Sequence, residues 1–343
     1  MTFRPPVPTP DRHVRWPADF GQRFTIFVDT EEEFDWAQLF SRDHRSVTAT
    51  AAIPAATRRF ADLGAGLTFL VDHPVATDPL SIDAIGEALS VETSAVGSQL
   101  HPWVTPPFDE AVNVANSYPG NLSADLEAAK LDALGAAIVA AFGTVPRIYR
   151  AGRYGIGPNT LRLLADRGYA IDSSMRARFD YSQQGGPDFS SIGNDAFVTG
   201  EGDVVELPLT TVDTGALRSV GPALYRWAAR VPRGPGVLAR AGMLNRVALT
   251  PEGIPVAEAL EAIRVVVGEG LPVLNFSFHS PTLVAGHTPY ARDTAGVAAF
   301  WGWWDAVLGL LATLGVRSVG EAELVGAVTA QARRGEATPS VVA

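Results

Sequence analysis

Residues 29–33 read DTEEE, and four carboxylates in five positions make this the most chemically loaded stretch of the sequence. They follow Phe24, Ile26 and Val28, apolar at every second position with Thr25 and Phe27 between, which predicts a largely buried β-strand ending there. Gathering carboxylates at a hydrophobic strand's end costs desolvation and mutual repulsion. If strand geometry persists, alternation puts Asp29, Glu31 and Glu33 on one face. A solvated acidic loop is the ordinary outcome for a charge run. At the end of a strand in an α/β chain the functional reading moves somewhat ahead of it.

Other candidates cluster in the same way. His73, His101 and His279 each follow a predicted strand end, whereas His13 and His44 fall in arms or loops and His287 lies a short loop beyond His279. One strand-end histidine is as readily structural as functional; three beside an acidic cluster point to a metal or to general acid/base chemistry. RAGRYG places Arg150 and Arg153 three apart. Either could neutralise the acidic cluster, or hold Asp29 ionised and oriented, and both readings predict one contact. Ser280 beside His279 suggests serine catalysis weakly: no G-x-S-x-G elbow is present and adjacent strand residues face opposite ways. Trp36 and Trp103 follow the site segments and suit stacking on a sugar ring, while Trp301, Trp303 and Trp304 read as helix packing.

The elements that must position these residues alternate along the chain. Strands are expected at Arg23–Val28, Leu67–Val71, a short segment ending at Gln99 and His101, Arg147–Tyr149, Tyr169–Asp172, Val204–Pro208, Val273–Phe278 and Val316–Val319. Helices are expected over Ser46–Leu63, Ile82–Leu89, Leu122–Phe142 with Ser123 as N-cap and Gly143 as stop, Pro158–Asp166, Val256–Gly268 and Val297–Leu314. Residues 213–252 resist assignment because Gly and Pro interrupt Arg-rich helical pieces. Seven or eight strand–helix alternations predict an α/β fold, a single-domain (β/α)7-8 barrel, with a doubly wound open sheet second. The expected layout is an irregular arm over 1–22, the barrel over 23–330 and a frayed tail over 331–343.

Composition narrows the chemistry. The 343 residues are 47% hydrophobic and 19% charged, so the chain has a substantial core. There is no cysteine, which excludes disulfides and thiolate metal sites and leaves His, Asp and Glu as ligands. The net charge of −10 without a basic cluster argues against nucleic acid. Lys130 is the only lysine and lies in an Ala-rich helical run, which makes a Schiff base improbable. No segment of signal-peptide or membrane-span type stands out, so a cytoplasmic protein is the default expectation; oligomeric state is not readable.

Taken together, FVDTEEEFDW, LVDHPVATDP, QLHPWVTPPFDE, RAGRYG, the ELP strand and FHSPTLVAGHTPY resemble, in order and spacing, the motifs of the polysaccharide deacetylase (NodB-homology, carbohydrate esterase family 4) superfamily, and more particularly its WalW-type branch. The resemblance covers roughly residues 23–325. It implies a distorted barrel, a divalent metal (usually zinc), and hydrolysis of an N-acetyl or O-acetyl group on a sugar. Carried over, Asp29 matches the catalytic base, Glu31 the metal-binding acid, Arg153 or Arg150 the arginine that orients the base, and His279 the acid that protonates the leaving amine. Thr30 stands where the metal-binding aspartate is usual, Gln99 where the first histidine of His-x-x-x-His is expected, and Trp103 where the second is. Glu31, His101 and His73 are therefore the expected ligands. Trp36, Gln99, Trp103, Arg150 and Tyr154 are the expected substrate contacts. Two alternatives remain: a metal-free, catalytically silent carbohydrate-binding barrel, and a glycosidase pairing Glu31 or Glu33 with Glu206.

Overall fold

The computed structural model describes residues 2–34, 38–228, 231 and 234–336. In chain order the strands are β1 (Arg23–Thr30), β2 (Thr68–Val71), β3 (Ala95–Leu100), β4 (Ile148–Ala151), β5 (Ile171–Asp172), β6 (Phe197–Val198), β7 (Val205–Glu206), β8 (Thr211–Thr214), β9 (Asn245–Ala248), β10 (Val273–His279) and β11 (Arg317–Ser318). The helices are α1 (Ile53–Asp62), α2 (His73–Thr77), α3 (Pro79–Ala88), α4 (Ala124–Phe142), α5 (Thr160–Ala165), α6 (Gly221–Ala228), α7 (Gly234–Arg240), α8 (Val256–Gly268), α9 (Thr294–Thr313) and α10 (Glu321–Glu336).

The main sheet runs β10-β1-β2-β3-β4-β5-β7-β6, parallel except for its last pair, with β11 beside the start of β1. It is a single-domain α/β fold, a curled half-barrel, as the strand–helix alternation predicts. The sheet does not close by a regular ladder. Asn275 of β10 and Thr210 stitch the gap instead: Asn275 N donates to Thr210 Oγ1 at 2.9 Å and Asn275 Nδ2 to Leu207 O at 3.1 Å. The antiparallel pair β8–β9, joined through α6 and α7, falls largely in the region that resisted assignment. The Ser123 cap on Leu126 N (3.3 Å) and the Gly143 stop at φ 66° occur where the sequence places them.

Alternation sorts the strand residues. Phe24, Ile26 and Val28 join the layer under the helices, where Phe276 and Phe278 of β10 pack on Trp304 of α9. Each such ring contributes about 2 kcal/mol by burial. Phe27, Leu70, Ile148, Ile171, Val205 and Leu207 fill the interior, and Leu324 and Val328 of α10 with Phe20 of the N-terminal arm cap its lower end. The upper end is left for Asp29, Glu31 and His279, the next inward positions on β1 and β10.

One sequence expectation changes here. Among the described residues one helix, α9, is long and apolar enough to cross a membrane, contrary to the expectation that no segment comes near. Phe300, Trp303, Trp304, Val307, Leu308 and Leu311 of that helix are buried in this fold, so its apolarity serves packing. Lys130, fully buried on α4, donates to Pro102 O (2.9 Å), Thr105 O (2.6 Å) and Pro107 O (2.7 Å) and pairs with Glu110 at 3.1 Å. The lone lysine thus pins the Pro-rich loop that follows β3.

Candidate active site

At the carboxyl end of the strands lies a cleft of about 240 Å³, lined among others by Asp29, Glu31, Gln99, His101, Trp103, Arg150, Arg153, Tyr154 and His279. Nine of the eleven residues expected to act therefore lie around one space; His73 does not line it, and Trp36 lies outside the described residues.

Strand register brings the first pair together. Asp29 and His279 are direct neighbours on β1 and β10, which puts both side chains inward. Their atoms Oδ2 and Nε2 are 3.7 Å apart, and His279 Nε2 is 4.0 Å from Glu31 Oε1. Asp29 is held by Arg150, whose Nη1 donates to Oδ1 at 2.5 Å while Nε donates to Ser173 O at 2.9 Å. Arg150 is completely buried. Of the two arginines the sequence offers for that task, Arg150 is the one that meets Asp29. Arg150 lies on the strand and points inward, while Arg153, past the strand's end with φ 55°, turns away to Ser117 Oγ (2.6 Å) and Gln184 Oε1 (3.1 Å).

His279 has a partner that the sequence reading missed. Glu252, in the loop after β9, accepts from His279 N at 3.0 Å and lies 2.6 Å from His279 Nδ1; Thr282 Oγ1 donates to it at 2.6 Å. Burial alone would lower the imidazole's pKa, but Glu252, then Glu31 and Asp29, outweigh it and raise it to about 10. His279 is thus a cation at neutral pH. The only sequence signal for Glu252 was an isolated acid in a Pro-Gly turn.

His101 faces two acids. Its Nδ1 is 2.8 Å from Glu32 Oε2 and its Nε2 is 3.5 Å from Glu31 Oε2. Glu32 also accepts from Trp103 Nε1 at 2.7 Å, and Trp103 stacks on His101 with centroids 4.4 Å apart. Asp72 caps α2, accepting from Val75 N (2.9 Å) and from Glu32 N (3.0 Å). Burial pushes the Glu32 and Asp72 carboxyls up, Asp72 far up, and the two neighbouring groups titrate together. Burial likewise raises Glu31 to about 7, with His279 and His101 opposing it. Glu32 and Asp72 are both fully buried.

The backbone makes room for this ring. A Cβ on Gly152 would meet His101 Cδ2, and Leu100 O at 2.6 Å, so only glycine fits beside the imidazole.

The expected ligand His73 does not join the group. As the first residue of α2 it diverges from Asp72, and the charges nearest it are Arg45 and Lys130. Among the described residues the set able to hold a metal is Glu32, Asp72 and His101, with ligand atoms within 4.8 Å of one another. A second set opens on the cleft: His101 Nε2, Glu31 and Gln99, whose buried Oε1 has no hydrogen-bond partner. Donors on one tetrahedral zinc at ~2.1 Å stand ~3.4 Å apart, close to the 3.5 Å between His101 Nε2 and Glu31 Oε2. Both sets offer donors that suit a divalent ion, and the residues of the second line the cleft.

Trp36 lies outside the described residues. Trp103 is buried against His101 and Glu32, so its edge, not a free face, meets the cleft. Tyr154, with φ 60°, projects into it. Glu206 does not line the cleft. It is the neighbour of Asp172 on the helix side of the sheet, accepting from Met175 N at 2.9 Å. Glu33 is bound by Ser46 (2.6 Å) and Thr48 (2.8 Å), so the glycosidase pairings are not formed.

No protein-family model matches the sequence, and no curated protein matches it. Solved structures do. A Mycobacterium smegmatis protein provisionally named a polysaccharide deacetylase superposes with a TM-score of 0.53 at 18% identity, covering 98% of each chain. A Parabacteroides distasonis protein provisionally named a glycoside hydrolase/deacetylase gives 0.54 at 11% identity, covering 93% of this chain and 73% of that one. At these identities the likeness is one of fold. What this chain shares with both neighbours is the curled parallel sheet.

Proposed function

We infer that the chain is a metal-dependent hydrolase that removes an acyl group, an acetyl in the simplest case, from the amide of a sugar. The observation that carries this reading is the separation of roles across 3.7 Å between Asp29 and His279. Asp29 is paired with buried Arg150, and His279, raised by Glu252, is a cation at neutral pH. Two titratable groups set apart by their own partners are the arrangement a base and an acid need. The provisional names of the two structural neighbours agree with it.

Asp29 takes the proton of a water that attacks the acyl carbon, and His279 gives its Nε2 proton to the amide nitrogen as the C–N bond breaks. His101 Nε2 and Glu31 would hold the ion, with Gln99 lining the same cleft. A divalent ion there supplies Lewis-acid polarisation of the acyl carbonyl and lowers the pKa of water. Glu32, accepting from Nδ1, directs the Nε2 lone pair outward. Arg150 and Glu252 keep the acid and base in place.

The test is acetate release from N-acetylated sugars with zinc or cobalt added to metal-stripped protein. Metal-stimulated release that disappears in Asp29→Asn is the expected result. Absence of release with every divalent ion, from protein that binds sugar, would favour the silent binding barrel.

A further inference from the structure

The cleft holds more positive charge than its proposed chemistry uses. Of the three arginines lining it, Arg150 is neutralised by Asp29. Arg153 and Arg176 form no ion pair with any carboxylate among the described residues. The contrast with neighbouring arginines is direct: Arg178, two positions after Arg176, pairs with Asp213 at 3.2 Å, and Arg246 pairs with the same carboxylate at 3.1 Å.

Arg153 and Arg176 are positioned by uncharged groups. The Arg176 guanidinium lies 4.1 Å from the Phe179 ring centroid and 5.7 Å from that of Tyr154, and its buried Nε has no hydrogen-bond partner. Arg153 lies 4.1 Å from the Tyr118 centroid and 5.2 Å from that of Phe40, and donates to Ser117 and Gln184. Aromatic faces and neutral acceptors hold a guanidinium in place but leave its charge unmatched, at a cost that rises with desolvation. The buried Tyr181 hydroxyl lies within the field of both guanidinium groups and beside that of Arg176, another uncharged neighbour.

The backbone supports the same conclusion. Arg153 and Tyr154 are consecutive non-glycine residues in the left-handed region, at φ 55° and 60°. Such strain, on the order of 1–3 kcal/mol each, persists where surrounding structure enforces it, and it gathers at ligand sites. Here it follows directly on β4 and sends Arg153 to the wall of the cleft instead of on toward Asp29.

We propose that the substrate carries an anionic group, a carboxylate or a phosphate, and that Arg153 and Arg176 bind it beside the reacting acyl group. Guanidinium groups match both anions through paired N–H donors. At about 240 Å³ the cleft is smaller than the ~300–1,000 Å³ of a drug-sized ligand site, which suits one charged sugar unit. This proposal rests on the sugar-amide reading above for its substrate class, but its test does not need turnover.

The experiment is calorimetric binding to metal-free protein of three probes: N-acetylglucosamine, its 6-phosphate, and N-acetylmuramic acid, which carries a carboxylate. At least one anionic probe is expected to bind tenfold or more tightly than the neutral one, and comparison of the two identifies phosphate or carboxylate. In Arg176→Met and in Arg153→Met that ratio falls toward one, with Arg176→Lys retaining part of it. Equal or tighter binding of the neutral sugar, or binding of none of the three, overturns the proposal without any variant being made. Acetate release separates the two readings. Anion preference without release leaves this proposal standing and removes the hydrolase; release from neutral and anionic sugars with equal kcat/KM does the reverse.

Discussion

His101 turns Nδ1 to Glu32 Oε2 at 2.8 Å, and this contact decides which edge of the ring meets the cleft. With Nδ1 engaged by a buried carboxylate, Nε2 is left facing Glu31 at 3.5 Å. Glu31→Gln is therefore expected to remove most zinc affinity, and Glu32→Gln to weaken it by about 10–100-fold, the usual cost of losing an orienting partner. Competition against a chromophoric chelator measures both. Loss of binding in Glu32→Gln with none in Glu31→Gln would instead place the ion among Glu32, Asp72 and His101.

Arg150 and Asp29 are both fully desolvated, so removing one partner strands the other's charge. Arg150→Met is expected to destabilise the fold by about 3–5 kcal/mol. Arg153, whose charge no carboxylate depends on, is expected to cost less than about 1 kcal/mol when changed to Met. Urea denaturation of the two variants side by side checks this, and equal losses would return Arg153 to the role the sequence suggested.

His279→Gln keeps the size of the side chain and one hydrogen bond to Glu252 but no transferable proton. Acetate release is expected to drop about 10²–10⁴-fold with zinc affinity retained. Glu252→Gln, which leaves the imidazole present, is expected to fall between this variant and the parent. Steady-state kinetics at saturating metal distinguishes the three; an unchanged kcat in His279→Gln would remove it as the acid.

Stability is expected to depend on pH through Glu127 of α4. Its side chain is fully buried, and burial raises its pKa from 4.5 to about 7 against the hydrogen bond from Thr160. The folded state keeps the proton that the unfolded chain has lost, so this group contributes least below pH 4.5 and becomes progressively destabilising up to about pH 7. The full effect is on the order of 3 kcal/mol, from a shift of about two and a half units. Glu127→Gln should be more stable than the parent at pH 8 and show a flatter profile between pH 5 and 7. Thermal melts across that range measure it, and a parallel profile in the variant would assign the dependence elsewhere.

Much of the site was legible because strand ends are legible. Asp29, Glu31, Gln99, His101, Arg150 and His279 were marked by apolar runs that stop at a polar residue, and the fold puts the ends of parallel strands on one side of the sheet. His73 was marked by the same rule and fails it. Asp72 caps α2 and takes the inward position, and the turn of helix that begins there carries His73 away. Arg153 likewise lay too far past β4 for strand alternation to aim it. Glu252, Arg176 and Tyr181 come from loops, where no periodicity reports which way a side chain points.

The sequence by itself determined most of the strand–helix alternation, the placing of Asp29, Glu31, His101 and His279 at strand ends, and a metal chemistry without thiolates, because hydrophobic period and residue type are local properties. Only the tertiary structure decided which carboxylate serves which histidine, which arginine holds Asp29, and which two arginines are left unmatched. Those choices depend on distances of a few ångströms between residues as far as 121 positions apart, and on burial that raises or cancels each charge.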